Sequence, residues 1–138
     1  MELADTSAWT NRHRDSAVLA DFNVALLERG IATCGVVMLE LLRSARDLAD
    51  LRATRTELEV LREVAIGPRV WQRAADLMEL LAERGPFHHR RVPWQDLLVA
   101  AAAERAELAV LHYDRHFELI AEVTGQPVRA IAPPGSLG

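Results

Sequence analysis

A chain of 138 residues, half of them hydrophobic and about a quarter charged, is long enough for one domain with a single core. Its formal net charge of −4 argues against binding polyanions by overall charge, and no apolar run approaches the ~20 residues of a membrane span. The single cysteine, Cys34, excludes an internal disulfide framework, fits a reducing cytosol and reads as a small buried hydrophobe.

The first residues run directly into LADTSAW, with no basic segment followed by an apolar one, so no signal peptide is expected. Residues 2–5 read as a short strand and 7–13 as one or two helical turns. Residues 16–29 form a helical pattern, with Val18, Leu19, Phe22, Leu26 and Leu27 at helical spacing and Gly30 as the stop. Ile31 to Cys34 reads as a buried strand, and Gly35 leads into a helix over about 36–47. Residues 49–62 read as a charged amphipathic helix and 63–66 as a brief strand. Pro68 opens a helix over 69–84 that Gly85-Pro86 ends. FHHRRV is a basic loop. Pro93 opens the next helix, through about Glu107, whose four consecutive alanines favour close packing. Leu108 to Leu111 reads as a strand, Asp114 caps a helix to about Thr124, and Val128 to Ile131 reads as a last strand.

Strands separated by single helices imply a parallel sheet with both faces covered. The expected fold is α/β, a three-layer α/β/α sandwich around a short parallel central sheet. One domain should span residues 1–132, followed by a loose tail, 133–138.

Four carboxylates stand out because each lies inside or just beyond an apolar stretch: Asp5 in LADTSAW, Glu40 in VVMLELLR, Asp96 in VPWQDLLVAAAA and Asp114 in AVLHYDRHF. Asp5 and Asp114 follow strands, while Glu40 and Asp96 sit near helix starts. In a doubly wound sheet all four face the carboxyl edge, where such sheets place their sites. Acids gathered there must repel, raise their pKa values or hold a cation, and a hard divalent ion is the simplest resolution. Each also has a plain structural reading. Asp5 and Asp114 serve as N-caps, Asp96 as a first-turn acid favoured by the helix dipole, and Glu40 as an i,i+3 partner of Arg43.

The segments DTSAW, LELLRSAR, PWQDLLVAAAAE and LHYDRHFELIAEVTG follow one another at suitable separations. Together they resemble the PIN-domain nucleases, and the short single domain looks like the VapC toxins of bacterial toxin–antitoxin pairs. The resemblance implies a cytoplasmic metal-dependent endoribonuclease whose Mg²⁺ or Mn²⁺ is held by acids matching Asp5, Asp96 and Asp114, with Glu40 completing the catalytic set. It also implies a homodimer and a cognate antitoxin whose tail occupies the acidic groove. The chain departs from the family at His116, where a second aspartate is often found, and its first strand is less hydrophobic than usual.

Around this set, Thr6 and Ser7 are candidates to bond a ligand or phosphate, or simply to start a helix. All 16 basic residues are arginine, which offers bidentate phosphate contacts that lysine lacks, though a GC-rich genome explains the bias equally well. Arg43 and Arg115 are candidates to meet the RNA backbone, or are solvated. His112 and His116 raise a metal-free acid–base pair as a rival chemistry. That rival leaves a cyclic phosphate where metal-bound water leaves a 5′-phosphate. His88 and His89 beside Arg90 and Arg91 read as a basic rim or a solvated loop. Trp9 and Trp94 either stack an unpaired base or pack in the core. A reading from another class remains: a non-catalytic binding module whose acidic groove takes a basic peptide.

Overall fold

Five short strands all run in the same direction in the computed structural model, which describes residues 1–138. They are β1 (Glu2–Ala4), β2 (Ile31–Cys34), β3 (Arg62–Val64), β4 (Ala109–His112) and β5 (Val128–Ala130), in the spatial order β3-β2-β1-β4-β5. The chain builds outward from β1 through β2 to β3, then returns to lay β4 on the other side of β1. The reversal therefore lies between β1 and β4, paired Leu3 to Val110 and Ala4 to Leu111. A crevice opens beyond the carboxyl ends of two strands whose connections leave in opposite directions.

Seven α-helices connect and cover the strands: α1 (Thr6–Asn11), α2 (Ser16–Val24), α3 (Gly35–Arg43), α4 (Leu48–Glu59), α5 (Pro68–Ala82), α6 (Trp94–Arg105) and α7 (Arg115–Thr124). All four residues of β2 and three of the four in β4 are buried, as expected of central parallel strands covered on both faces. Helix α6 is the innermost. Residues 96–103 are all buried, including Ala100 to Ala103, so this helix shows no polar face to water. Its small side chains admit α5 closely, and Arg73 on α5 clasps Glu104 on α6 with two hydrogen bonds of 2.8 and 3.2 Å. No helix is long and apolar enough to cross a membrane.

Helix ends follow local chemistry. The expected helix over 36–47 stops at Arg43, because Asp47 caps α4 by accepting from the Asp50 N–H. The 16–29 segment is α-helical to Val24 and then widens into a π turn over Ala25–Arg29, ending at Gly30 with φ of 81°. The expected strand 63–66 is found two residues shorter at its end and one earlier at its start. The last residues, expected to be loose, are docked. Leu137 is buried and its N–H donates to Tyr113 Oη at 2.9 Å, and Arg14 bonds the Gly138 carbonyl.

Candidate active site

The end of β1 is locked before any site chemistry begins. The Asp5 N–H donates to the Leu111 carbonyl at 2.9 Å, joining the ends of β1 and β4. Asp5 then caps α1: its Oδ2 accepts from the Ser7 N–H at 3.0 Å and from the Ser7 hydroxyl at 2.7 Å. The same hydroxyl oxygen accepts from the Tyr113 N–H at 2.9 Å, so one serine ties the first strand's acid to the loop after β4. Asp5 Oδ1 is buried and meets no donor. Burial pushes the Asp5 carboxyl above its ordinary range, and the charge of Glu40 adds to the rise against the opposing bonds from Ser7.

Glu40 lies in the second turn of α3. Its Oε1 accepts from the Thr6 hydroxyl at 2.9 Å, which fastens α3 to the first residue of α1. The ion pair with Arg43 that i,i+3 spacing offers is not made; Arg43 is exposed. The carboxylate turns to the cleft instead of along the helix surface.

Asp96 is in the first turn of α6 and is 8% exposed, against 3% for Asp5. Asp114 caps α7, its Oδ1 accepting from the His116 N–H at 2.9 Å. The His116 ring stands between these two acids, with Nδ1 at 2.9 Å from Asp96 Oδ2 and 3.0 Å from Asp114 Oδ1. Burial first, then the nearby charge of Asp5, pushes the Asp96 carboxyl up to about 7, with the His116 hydrogen bond opposing.

All four acids line one open cleft of about 330 Å³, together with Thr6 and Ser7. Three further lining residues, Thr10, Asn11 and Tyr113, escape the sequence reading. A signal for two of them was available: Thr10 and Asn11 lie one helical turn after Thr6 and Ser7, on the same face of α1. Asn11 donates to the Ser7 carbonyl at 2.7 Å and so stiffens that turn.

This donor set suits a hard or borderline divalent cation. Asp96, Asp114 and His116 each offer an atom within 4.8 Å of the others, while Asp5 and Glu40 line the cleft outside that trio. The unpartnered Asp5 Oδ1 is a buried carboxylate oxygen with nothing to neutralise it, and burial, with repulsion between the acids, pushes the Asp5 and Asp96 carboxyls above their ordinary range.

The other candidates are placed differently. His112 cannot form an acid–base pair with His116: its side chain is buried, its Nδ1 accepts from the Asp114 N–H at 3.1 Å, and its Nε2 faces Glu118 at 3.1 Å. Nδ1 is committed to that backbone bond, Nε2 is buried and makes no hydrogen bond of good geometry, and burial lowers the His112 pKa. Trp9 is core, packed edge-on to Phe22 with ring centroids 4.9 Å apart. Trp94 is exposed, but it joins Trp71 and Met78 on an apolar patch rather than lining the acidic cleft. Arg115 is exposed on the outer side of Asp114. His88 to Arg91 form a 3₁₀ turn in which Arg90 stacks 4.4 Å over Phe87, and none of the four lines the cleft.

Comparison with known proteins bears on what such a cleft does. The family profile described as "PIN domain" matches residues 3–123. Ribonuclease VapC18 of Mycobacterium tuberculosis is 38% identical over 133 residues, covering 96% of both chains. Ribonuclease VapC21 of the same species is 42% identical over 113 residues, 80% of both chains. Among solved structures, the VapBC-5 toxin–antitoxin system of M. tuberculosis superposes with a TM-score of 0.61 at 26% identity, covering 94% of this chain and 95% of that one. A DNA-bound VapBC from Salmonella typhimurium gives 0.71 at 19% identity, covering 96% and 100%, a likeness of fold.

Proposed function

Since the chain belongs to the PIN-domain family, we propose that it is an endoribonuclease that hydrolyses RNA phosphodiester bonds at the cleft beyond β1 and β4, acting as the toxin of a toxin–antitoxin pair. One observation carries the reading: carboxylates from four separate elements, Asp5, Glu40, Asp96 and Asp114, line a single open cleft. The ribonuclease names of relatives at 38% and 42% identity support RNA as the substrate. Likeness to a VapBC complex supports a cognate antitoxin as partner.

Asp5, Asp96 and Asp114 are the residues to hold Mg²⁺ or Mn²⁺. When bound, such an ion supplies positive charge against the phosphate and a water acidified enough to attack it. The chain's own side chains supply order. Ser7 occupies Asp5 Oδ2 and leaves the buried Oδ1 without a protein donor. Thr6 holds one Glu40 oxygen, leaving the other to orient a water by accepting its proton. Thr10 and Tyr113 shape the walls, and Arg43, three residues after Glu40, and Arg115, next to Asp114, are exposed guanidinium groups offered to the RNA backbone. A basic side chain of the antitoxin entering this cleft would make charge-assisted bonds with the same acids. We also read the protein as a cytoplasmic homodimer, a point that sedimentation of the purified toxin decides.

Cleavage of total cellular RNA by antitoxin-free protein, with Mg²⁺, Mn²⁺ or EDTA and beside Asp96→Asn, tests the proposal. Discrete metal-dependent fragments bearing 5′-phosphates, lost in the variant, are expected. Absence of cleavage by folded protein with either ion would return the cleft to a binding site for basic peptides.

A further inference from the structure

Nitrogen stands where an oxygen-only site would offer carboxylate. His116 Nδ1 lies 2.9 Å from Asp96 Oδ2 and 3.0 Å from Asp114 Oδ1, and all three donor atoms fall within 4.8 Å of one another. Bonds of ~2.1 Å to an octahedral ion put adjacent donors about 3.0 Å apart, so these contacts already have the spacing of neighbouring ligands. The ring is also held in place. Its backbone N–H is bonded to Asp114, it lies in the first turn of α7, and Phe117 beside it is wholly buried.

We propose that His116 is itself a metal ligand through Nδ1, and that this mixed nitrogen–oxygen set makes the site prefer Mn²⁺ to Mg²⁺. The inference rests on the reading of Asp5, Asp96 and Asp114 as the metal-holding acids and adds an identity for the ion. Magnesium is a hard cation that parts reluctantly with water and takes oxygen donors, whereas imidazole suits the first-row transition ions. Exchanging one carboxylate for a neutral imidazole also removes a negative charge, which weakens the purely electrostatic hold on Mg²⁺ more than the partly covalent hold on Mn²⁺. His116 is the one imidazole in this donor trio; His112 turns Nδ1 to the Asp114 N–H and Nε2 toward Glu118.

The test is metal binding, read without RNA. Protein stripped with EDTA is titrated with Mn²⁺ and with Mg²⁺ by calorimetry, as wild type and as His116→Asp. Pulsed electron paramagnetic resonance of the Mn²⁺ complex then looks for ¹⁴N coupling. Expected are ¹⁴N modulation in the wild type, its loss in His116→Asp, and a fall in the Mn²⁺-to-Mg²⁺ affinity ratio on the order of tenfold in that variant. Mn²⁺ bound with no ¹⁴N coupling and an unchanged ratio would overturn this proposal while leaving the acidic site intact. Failure of the wild type to bind either ion would overturn the acidic site and this proposal with it. The wild-type spectrum decides the nitrogen question even if His116→Asp does not fold.

Discussion

A carboxylate has two oxygens, so at residue scale capping a helix does not exhaust the side chain. Asp5 spends Oδ2 on the start of α1 and keeps Oδ1 unpartnered, whereas Asp114 uses the same Oδ1 for the start of α7 and for the His116 ring. The sequence presents cap and ligand as alternatives, but the two are compatible in one side chain. Asp96 has a measurable consequence. Its folded pKa of about 7 lies above the ~3.9 of an unfolded aspartate, so between those values the folded state holds a proton that the unfolded state has lost. Its contribution to stability therefore falls as pH rises from about 4 to 7. In EDTA, urea denaturation should show Asp96→Asn gaining stability relative to wild type across that window. His112, lowered by burial, titrates in both proteins, whereas Asp5 and Asp96 repel one another, so the difference reports the coupled pair of acids. Saturating divalent ion should remove the effect. A difference independent of pH would refute the buried-acid account. His116 shows the limit of reading a sequence here: its contact with Asp96 spans 20 positions and depends on how α6 and α7 pack.

At the scale of elements, most of the fold was legible because its punctuation is chemical. Pro68 and Asp114 mark helix limits, and the structure places a helix start and a cap there. The π turn after α2 carries no such mark, since one i→i+5 turn of five residues is too short to show a period of its own. The alanines of α6 were readable as a packing surface but not as the most enclosed helix, which only the assembled layers reveal. Ala102 is fully buried, so Ala102→Leu adds side chain where neighbours already close around it. The expected cost is about 1–3 kcal/mol of unfolding free energy, read by urea denaturation. Ala106, partly buried beyond the end of the same helix, should accept leucine at a fraction of that cost.

The whole molecule is held by contacts that cross the sheet. Arg129 on β5 reaches past β4 to Glu2 on β1 with two bonds of 2.8 Å, and on to Asp21 at 3.3 Å. A parallel sheet with the acids gathered at its carboxyl edge followed from alternating strand and helix patterns; the strand order β3-β2-β1-β4-β5 is visible only in the structure. The docking of the last residues did not, because PPGSLG has no periodicity and its one large apolar side chain finds a site only on the finished surface. Leu137 occupies that site, while the Leu137 N–H bonds Tyr113. Leu137→Ala should lower stability by about 1–2 kcal/mol, the range for losing part of a buried leucine at an edge, as read from denaturant midpoints. An unchanged midpoint would mean that the tail contributes nothing.

This docked end also governs how the protein can be handled. Tyr113 takes the tail on its hydroxyl and Ser7 on its backbone, so anything tethered after Gly138 starts beside the wall of the acidic cleft. Met1 precedes β1, at the opposite edge of a parallel sheet from that cleft, with half its surface exposed. Affinity handles, fluorophores and surface anchors therefore belong at the amino end. A tether placed at the other end would perturb the feature it was meant to report.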